Sequence, residues 1–145
     1  MIALIQRVSL GKVEIKGENV AVIDRGIVAL VAVQSGDTSE IVESVVKRLL
    51  NYRIFPDKVG KMNLSLVDTN GGLILVPQFT LLADTKKGNR PSFSNNVPVE
   101  IGKKYFEELV SCAKEQFSNV QQGQFGTDMQ VTLINDGPVT FWLEV

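Results

Sequence analysis

Two short segments carry the residues best placed to do chemistry: Pro77-Gln78-Phe79-Thr80-Leu81 and Asn135-Asp136-Gly137-Pro138-Val139-Thr140. Each reads as a strand end running into a turn, where backbone polar groups become free to meet a ligand. The chain has no histidine, which removes the commonest general base. Hydrolytic chemistry would therefore rest on backbone groups, hydroxyls or the substrate itself. Thr80, Ser92, Ser94 and Thr140 supply hydroxyls, but a hydroxyl without a base is a poor nucleophile. The ordinary use of a threonine on a strand is packing. If the strand ends at Gln78-Phe79-Thr80, its N–H groups can face a cleft. Such donors could hold a developing oxyanion, each worth about 3 kcal/mol. The alternative is a sheet interior with Phe79 in the core.

The second segment also has two readings. Asx and glycine between alternating strands spell a hairpin turn. Alternatively, Gly137-Pro138 offers carbonyls: a cis X–Pro bond costs only about 0.5–1 kcal/mol over trans. In the cis form neighbouring carbonyls could point the same way and accept an ammonium group. Lys86, Lys87 and Arg90 lie together in a polar stretch beside Asn89 and Ser92, with Lys58 and Lys61 in another loop. They are either solvated charges or a phosphate-binding patch. Phe125 and Met129 flank Gly126-Thr127-Asp128, and either pack in the core or lie against a base.

These segments need a scaffold. At 145 residues the chain fits one domain, 1–145, with a core large enough to need no metal or disulfide. Its formal net charge of -1 does not announce nucleic-acid binding. The single cysteine, Cys112, forms no internal disulfide, which fits a reducing cytoplasm and an inert, packed thiol. No zinc motif, phosphate-binding glycine loop or dinucleotide fingerprint appears, so no metal or cofactor is expected. There is no signal-peptide pattern, and the longest apolar run, Ile27 to Val33, is too short to span a membrane.

Alternation predicts strands at 2–8 and around Val13 and Ile15, with Val20 and Val22 returning antiparallel across the Gly17-Glu18 turn, and Gly26 opens a continuous apolar, buried strand at Ile27 to Val33. Asp37 and Thr38 supply an N-cap to a helix over 39–51, and a second helix spans 99–117. A short strand is expected at Tyr52 to Phe55. Asn63 to Val67 and Leu73 to Leu81 are expected to pair antiparallel across Thr69-Asn70-Gly71-Gly72. Residues 83–97 form a long polar loop, a length that is often functional. Gln121 to Phe125, Asp128 to Ile134 and Val139 to Val145 close the chain as strands. The short connections favour an α+β domain with mostly antiparallel, barrel-like sheets and two main helices.

Along essentially its whole length the chain resembles the bacterial D-aminoacyl-tRNA deacylase family. The matching stretches are Gln6-Arg7-Val8, Arg53-Ile54-Phe55, Gly60 to Ser65, Gln78-Phe79-Thr80-Leu81, Ala83-Asp84-Thr85, Lys87 to Phe93, Phe125 to Met129 and Asn135 to Thr140. The resemblance implies a cytoplasmic homodimer that hydrolyses the ester joining a D-amino acid, or glycine mischarged on tRNA-Ala, to the terminal adenosine of tRNA. It implies no DNA or membrane partner. It also implies that cis Gly137-Pro138 enters the partner subunit's pocket and binds the substrate's α-amino group. Gln78, Phe79 and Thr80 would form the opposite wall, Phe125 and Met129 would hold the adenosine, and Arg7 would brace the Gly-Pro turn. One position departs: the family usually has serine immediately before Gln78, and this chain has Pro77.

Overall fold

A single 14-residue strand, β1 (Ile2–Ile15), is the spine of the sheet. It joins the two strands expected at 2–8 and near Val13. The computed structural model describes residues 1–94 and 96–145. After β1 come β2 (Glu18–Ile23), β3 (Gly26–Ala32) and helix α1 (Ser39–Asn51). Then follow β4 (Phe55–Pro56), β5 (Met62–Leu64), the one-turn helix α2 (Leu66–Thr69) and β6 (Gly72–Pro77). A 3-10 turn (Phe79–Leu82) leads to the long loop, helix α3 (Val99–Gln116), β7 (Val120–Gln122) and β8 (Gln130–Glu144).

The large sheet runs β2-β1-β3-β6-β7, with β8 on the other flank of β1. Two sequence expectations fail here. β6 is not half of an antiparallel hairpin with residues 63–67; it pairs parallel with β3 and with β7. Ser65 caps α2 and accepts the Asp68 N–H, while the Asp68 carboxylate accepts the Ser65 N–H. That reciprocal capping box turns the chain into a helix where a strand was expected. Helices α1 and α3 are the crossovers that parallel pairing requires. The sheet is therefore mixed: β1 pairs antiparallel with β2, β3 and β8, which keeps most of the sheet antiparallel as expected, while β6 adds the two parallel pairings. The second failure is the hairpin at Asn135-Asp136-Gly137-Pro138: residues 130–144 form one strand, β8, antiparallel to β1.

Alternation divides the sheet between two cores. Ile27, Ala29 and Val31 face α1 and α3 with Leu49, Phe106 and Leu109. Val28 faces the barrel interior with Val8, Val13, Ile23, Ile74 and Val76. The barrel is drawn closed by a side chain: the Val22 N–H donates to Gln121 Oε1 at 2.7 Å, and Gln121 Nε2 donates back to the Val22 carbonyl. The Gln121 carboxamide thus stands in for a strand edge between β2 and β7. Thr38 caps α1, its hydroxyl accepting the Ile41 N–H. Asp37 turns away from that helix and accepts the Gln34 N–H at 2.7 Å. No helix among the described residues is long and apolar enough to cross a membrane.

Candidate active site

The ladder of β6 ends where the Gln78 N–H donates to the Val31 carbonyl at 2.7 Å. The chain then coils, with the Leu81 N–H returning to the Gln78 carbonyl at 3.3 Å and the Ala83 N–H to the Thr80 carbonyl at 3.1 Å. The N–H groups of Phe79 and Thr80 meet no backbone acceptor among the described residues, as expected for the opening residues of a helical turn. Phe79 is 56% exposed, not a core residue. Thr80 Oγ1 accepts a hydrogen bond from Gln78 Nε2 at 2.6 Å.

Pro77 fits this strand end. Leu75 accepts from the Gly123 N–H and Gln78 donates to β3, so position 77 faces β7. That strand stops pairing at Gln122. A proline at the end of a ladder removes no sheet hydrogen bond.

Beside this turn lies a cleft of about 420 Å³ between the ends of β3 and β6, helix α3 and the segment after β7. Gln78 and Phe79 line it together with Phe125 and Met129, and so does Pro77. Sequence reasoning did not single out Gly102 and Phe106 of α3, or Val31 and Ala32 at the end of β3 and the following Val33, which also line it. A glycine early in an amphipathic helix was the available signal for Gly102. Thr80 edges the cleft through its bond to Gln78 rather than lining it.

Arg7, Gly137 and Pro138 lie elsewhere. The β1–β8 register jumps from Gln6↔Thr140 to Val8↔Asn135, so residues 136–139 bulge out opposite Arg7. Arg7 Nε donates to the Asp136 carbonyl at 2.9 Å and Nη1 to the Ile54 carbonyl at 2.7 Å. The Asp136 carboxylate is also 3.2 Å from Nε. The Val139 N–H donates to Asn135 Oδ1 at 2.6 Å, and Asn135 Nδ2 donates to Thr140 Oγ1 at 2.8 Å. Asn135, whose bracing role no motif announced, thus ties the neck of the bulge. The Gly137-Pro138 bond is cis and Gly137 has φ +152°. Asp136, Gly137 and Pro138 are exposed.

In β3, Ile27 sits opposite Arg7 and Val31 sits beside Pro77. Four residues of strand separate those levels, about 13 Å. The Gly-Pro bulge and the Gln78 cleft are therefore not brought together in the chain.

Lys86, Lys87 and Arg90 are exposed in a closed loop. Its neck is a bridge in which Asp84 and Ser92 exchange both backbone bonds, at 2.8 and 3.0 Å, and Asp84 Oδ1 accepts the Lys86 N–H at 2.9 Å. Next to the bridge, the Phe93 ring lies tilted against Phe79 with centroids 5.6 Å apart. Cys112 is half-buried on α3; burial pushes its thiol pKa up, which fits an inert packing role.

The family model described as D-Tyr-tRNA(Tyr) deacylase matches residues 4–144. The D-aminoacyl-tRNA deacylase of Pseudomonas putida is 52% identical over 145 residues, covering all of both chains. That of Teredinibacter turnerae is 53% identical over 144 residues, covering 99% of each. Among solved structures, one titled c-Myc DNA Unwinding Element Binding Protein superposes with TM-score 0.93 at 35% identity, covering 100% of this chain and 99% of that one. A probable eukaryotic D-amino acid tRNA deacylase superposes with TM-score 0.87 over 99% of this chain and 98% of its own; at 17% identity it shows the fold alone.

Proposed function

The chain belongs to the D-Tyr-tRNA(Tyr) deacylase family, and we propose that it hydrolyses the ester joining a D-amino acid to the terminal adenosine of tRNA. The observation that supports this site is that Phe79 lines one cleft with Phe125 and Met129, while the Phe79 and Thr80 amides meet no backbone acceptor among the described residues. In this reading Phe125 and Met129 hold the adenosine and fix the ester at the strand end. The two amides accept the charge that develops on the carbonyl oxygen as water attacks. With no histidine in the chain, the ribose 2′-OH helps the water.

The same reading makes the working unit a cytoplasmic homodimer. The bulge stands apart from the cleft of its own subunit, so a partner's Gly137-Pro138 carbonyls supply the ammonium site there. With ester and ammonium both fixed, the D side chain points outward and its mirror image runs into the turn. Glycine, having no side chain, escapes the clash, which makes glycyl-tRNA a further substrate. The basic loop carrying Lys86, Lys87 and Arg90 takes tRNA phosphates.

Two alternatives are weaker. A covalent Thr80 mechanism is disfavoured because its hydroxyl accepts from an amide, which does not activate it. A tRNA-binding module that lost catalysis through Pro77 has no support at position 77, where proline removes no ladder bond.

The test is incubation with D-tyrosyl-tRNA and L-tyrosyl-tRNA. Ester loss above buffer with the D form alone is expected. Tight binding without turnover would make the chain a binding module instead.

A further inference from the structure

We infer that Gly123 is a positioning residue for the adenosine side of the cleft, acting through Met129. A Cβ built on Gly123 would lie 2.6 Å from the Met129 sulfur and 3.5 Å from its methyl carbon. No side chain fits there while Met129 keeps its place. The next amide points the same way: the Gln124 N–H reaches the Met129 sulfur at 3.4 Å. On the other side, the Pro77 ring would lie 3.5 Å from the same added carbon. Gly123 itself is held, its N–H donating to the Leu75 carbonyl of β6 at 2.9 Å. The end of β7 thus offers a bare shelf, walled by Pro77, on which the thioether rests. Met129 is unbranched and flexible, and would otherwise sample several rotamers. The shelf restricts it to one wall of the cleft.

This inference rests on the reading of Met129 as part of the adenosine wall, and its test separates the two ideas. In Gly123→Ala the displaced atom is the far end of a flexible side chain, so the fold survives while the wall moves. Carbon-13-labelled methionine methyls give a readout independent of catalysis, because the chain has only 3 methionines. The Met129 methyl resonance should shift in Gly123→Ala, with the Met1 and Met62 resonances unchanged. KM for D-tyrosyl-tRNA should rise about tenfold while kcat stays within about twofold, the pattern of lost ground-state binding. Adding Met129→Ala to Gly123→Ala should cost no more than Met129→Ala alone, since the two act as a unit. An unmoved Met129 resonance, or additive effects in the double variant, overturns the role of Gly123. If the resonance moves and Met129→Ala itself leaves KM unchanged, the adenosine-wall reading fails and the positioning role with it.

Discussion

Arg7 and Asp136 are joined by a hydrogen bond from the guanidinium Nε to the Asp136 carbonyl at 2.9 Å, although 129 residues separate them. The same guanidinium holds the Ile54 carbonyl at 2.7 Å. A planar fork on a side chain only 10% exposed locks the base of the bulge to both the sheet and the segment after α1.

That geometry predicts that Arg7→Lys is not conservative. An ammonium keeps the charge but cannot present two rigid donors to two carbonyls. One carbonyl is left unpaired, at a cost of about 1–3 kcal/mol. A fall in Tm of about 5 °C is expected, with a larger loss in deacylation than the stability change explains. Calorimetry together with D-tyrosyl-tRNA turnover checks both. Wild-type turnover in folded Arg7→Lys would show that the bulge needs no brace.

Thr80→Ala should retain most of the hydrolysis rate. The substitution keeps the Thr80 amide and removes only a hydroxyl that already accepts from Gln78 Nε2 at 2.6 Å. A loss below about tenfold is expected, whereas removing a true nucleophile costs several orders of magnitude. Single-turnover hydrolysis distinguishes the two, and a folded, tRNA-binding but dead variant would assign the chemistry to the hydroxyl.

How much of this is legible in the sequence depends on the kind of signal. Val42, Val45, Val46 and Leu49 recur at helical spacing and gave α1 to the residue. The continuous apolar run Ile27 to Val33, opened by Gly26, placed β3 to within a residue at its end, because a strand buried on both faces is apolar throughout. The local return of β2 against β1 was legible from the Gly17-Glu18 turn, but distant pairing was not: β6 joins β3 and β7 across crossovers, and strand patterns do not name far neighbours. The Asn135 to Pro138 segment looked like a hairpin because turn chemistry and bulge chemistry use the same residues. Only the partner β1, running past both halves, tells them apart. At the site, Gln78, Phe79, Phe125 and Met129 were found as motifs. Gly123 was not, because its importance lies in a contact with a residue six positions on.

The basic loop should govern tRNA affinity rather than chemistry. Lys86, Lys87 and Arg90 are exposed and none of them lines the cleft. Reversing all three to glutamate should raise KM for D-tyrosyl-tRNA at least tenfold and weaken its salt dependence. Hydrolysis of D-tyrosyl-adenosine, which lacks the tRNA backbone, should change less than twofold. Equal effects on both substrates would place the phosphate contacts elsewhere.

The sharpest prediction concerns Gly137. Its φ of +152° is one that a residue with a side chain rarely adopts. A Cβ there would lie 2.7 Å from the Val139 nitrogen and 2.5 Å from its Cγ2. The nitrogen is backbone and is tied to Asn135 Oδ1 at 2.6 Å, so the bulge, not a flexible side chain, must move. Gly137→Ala should therefore re-aim the carbonyls while leaving the Gln78 cleft intact. The substitution lies on an exposed bulge, so folding should persist. Turnover of D-tyrosyl-tRNA should fall at least a hundredfold, and the residual activity should discriminate less between D and L. Glycyl-tRNA should lose rate through the missing ammonium contact, with no clash to relieve. The measurement is the ratio of D- to L-tyrosyl-tRNA hydrolysis in folded Gly137→Ala. A wild-type ratio at near-normal rate would remove this bulge from chiral selection and return that role to the walls of the cleft.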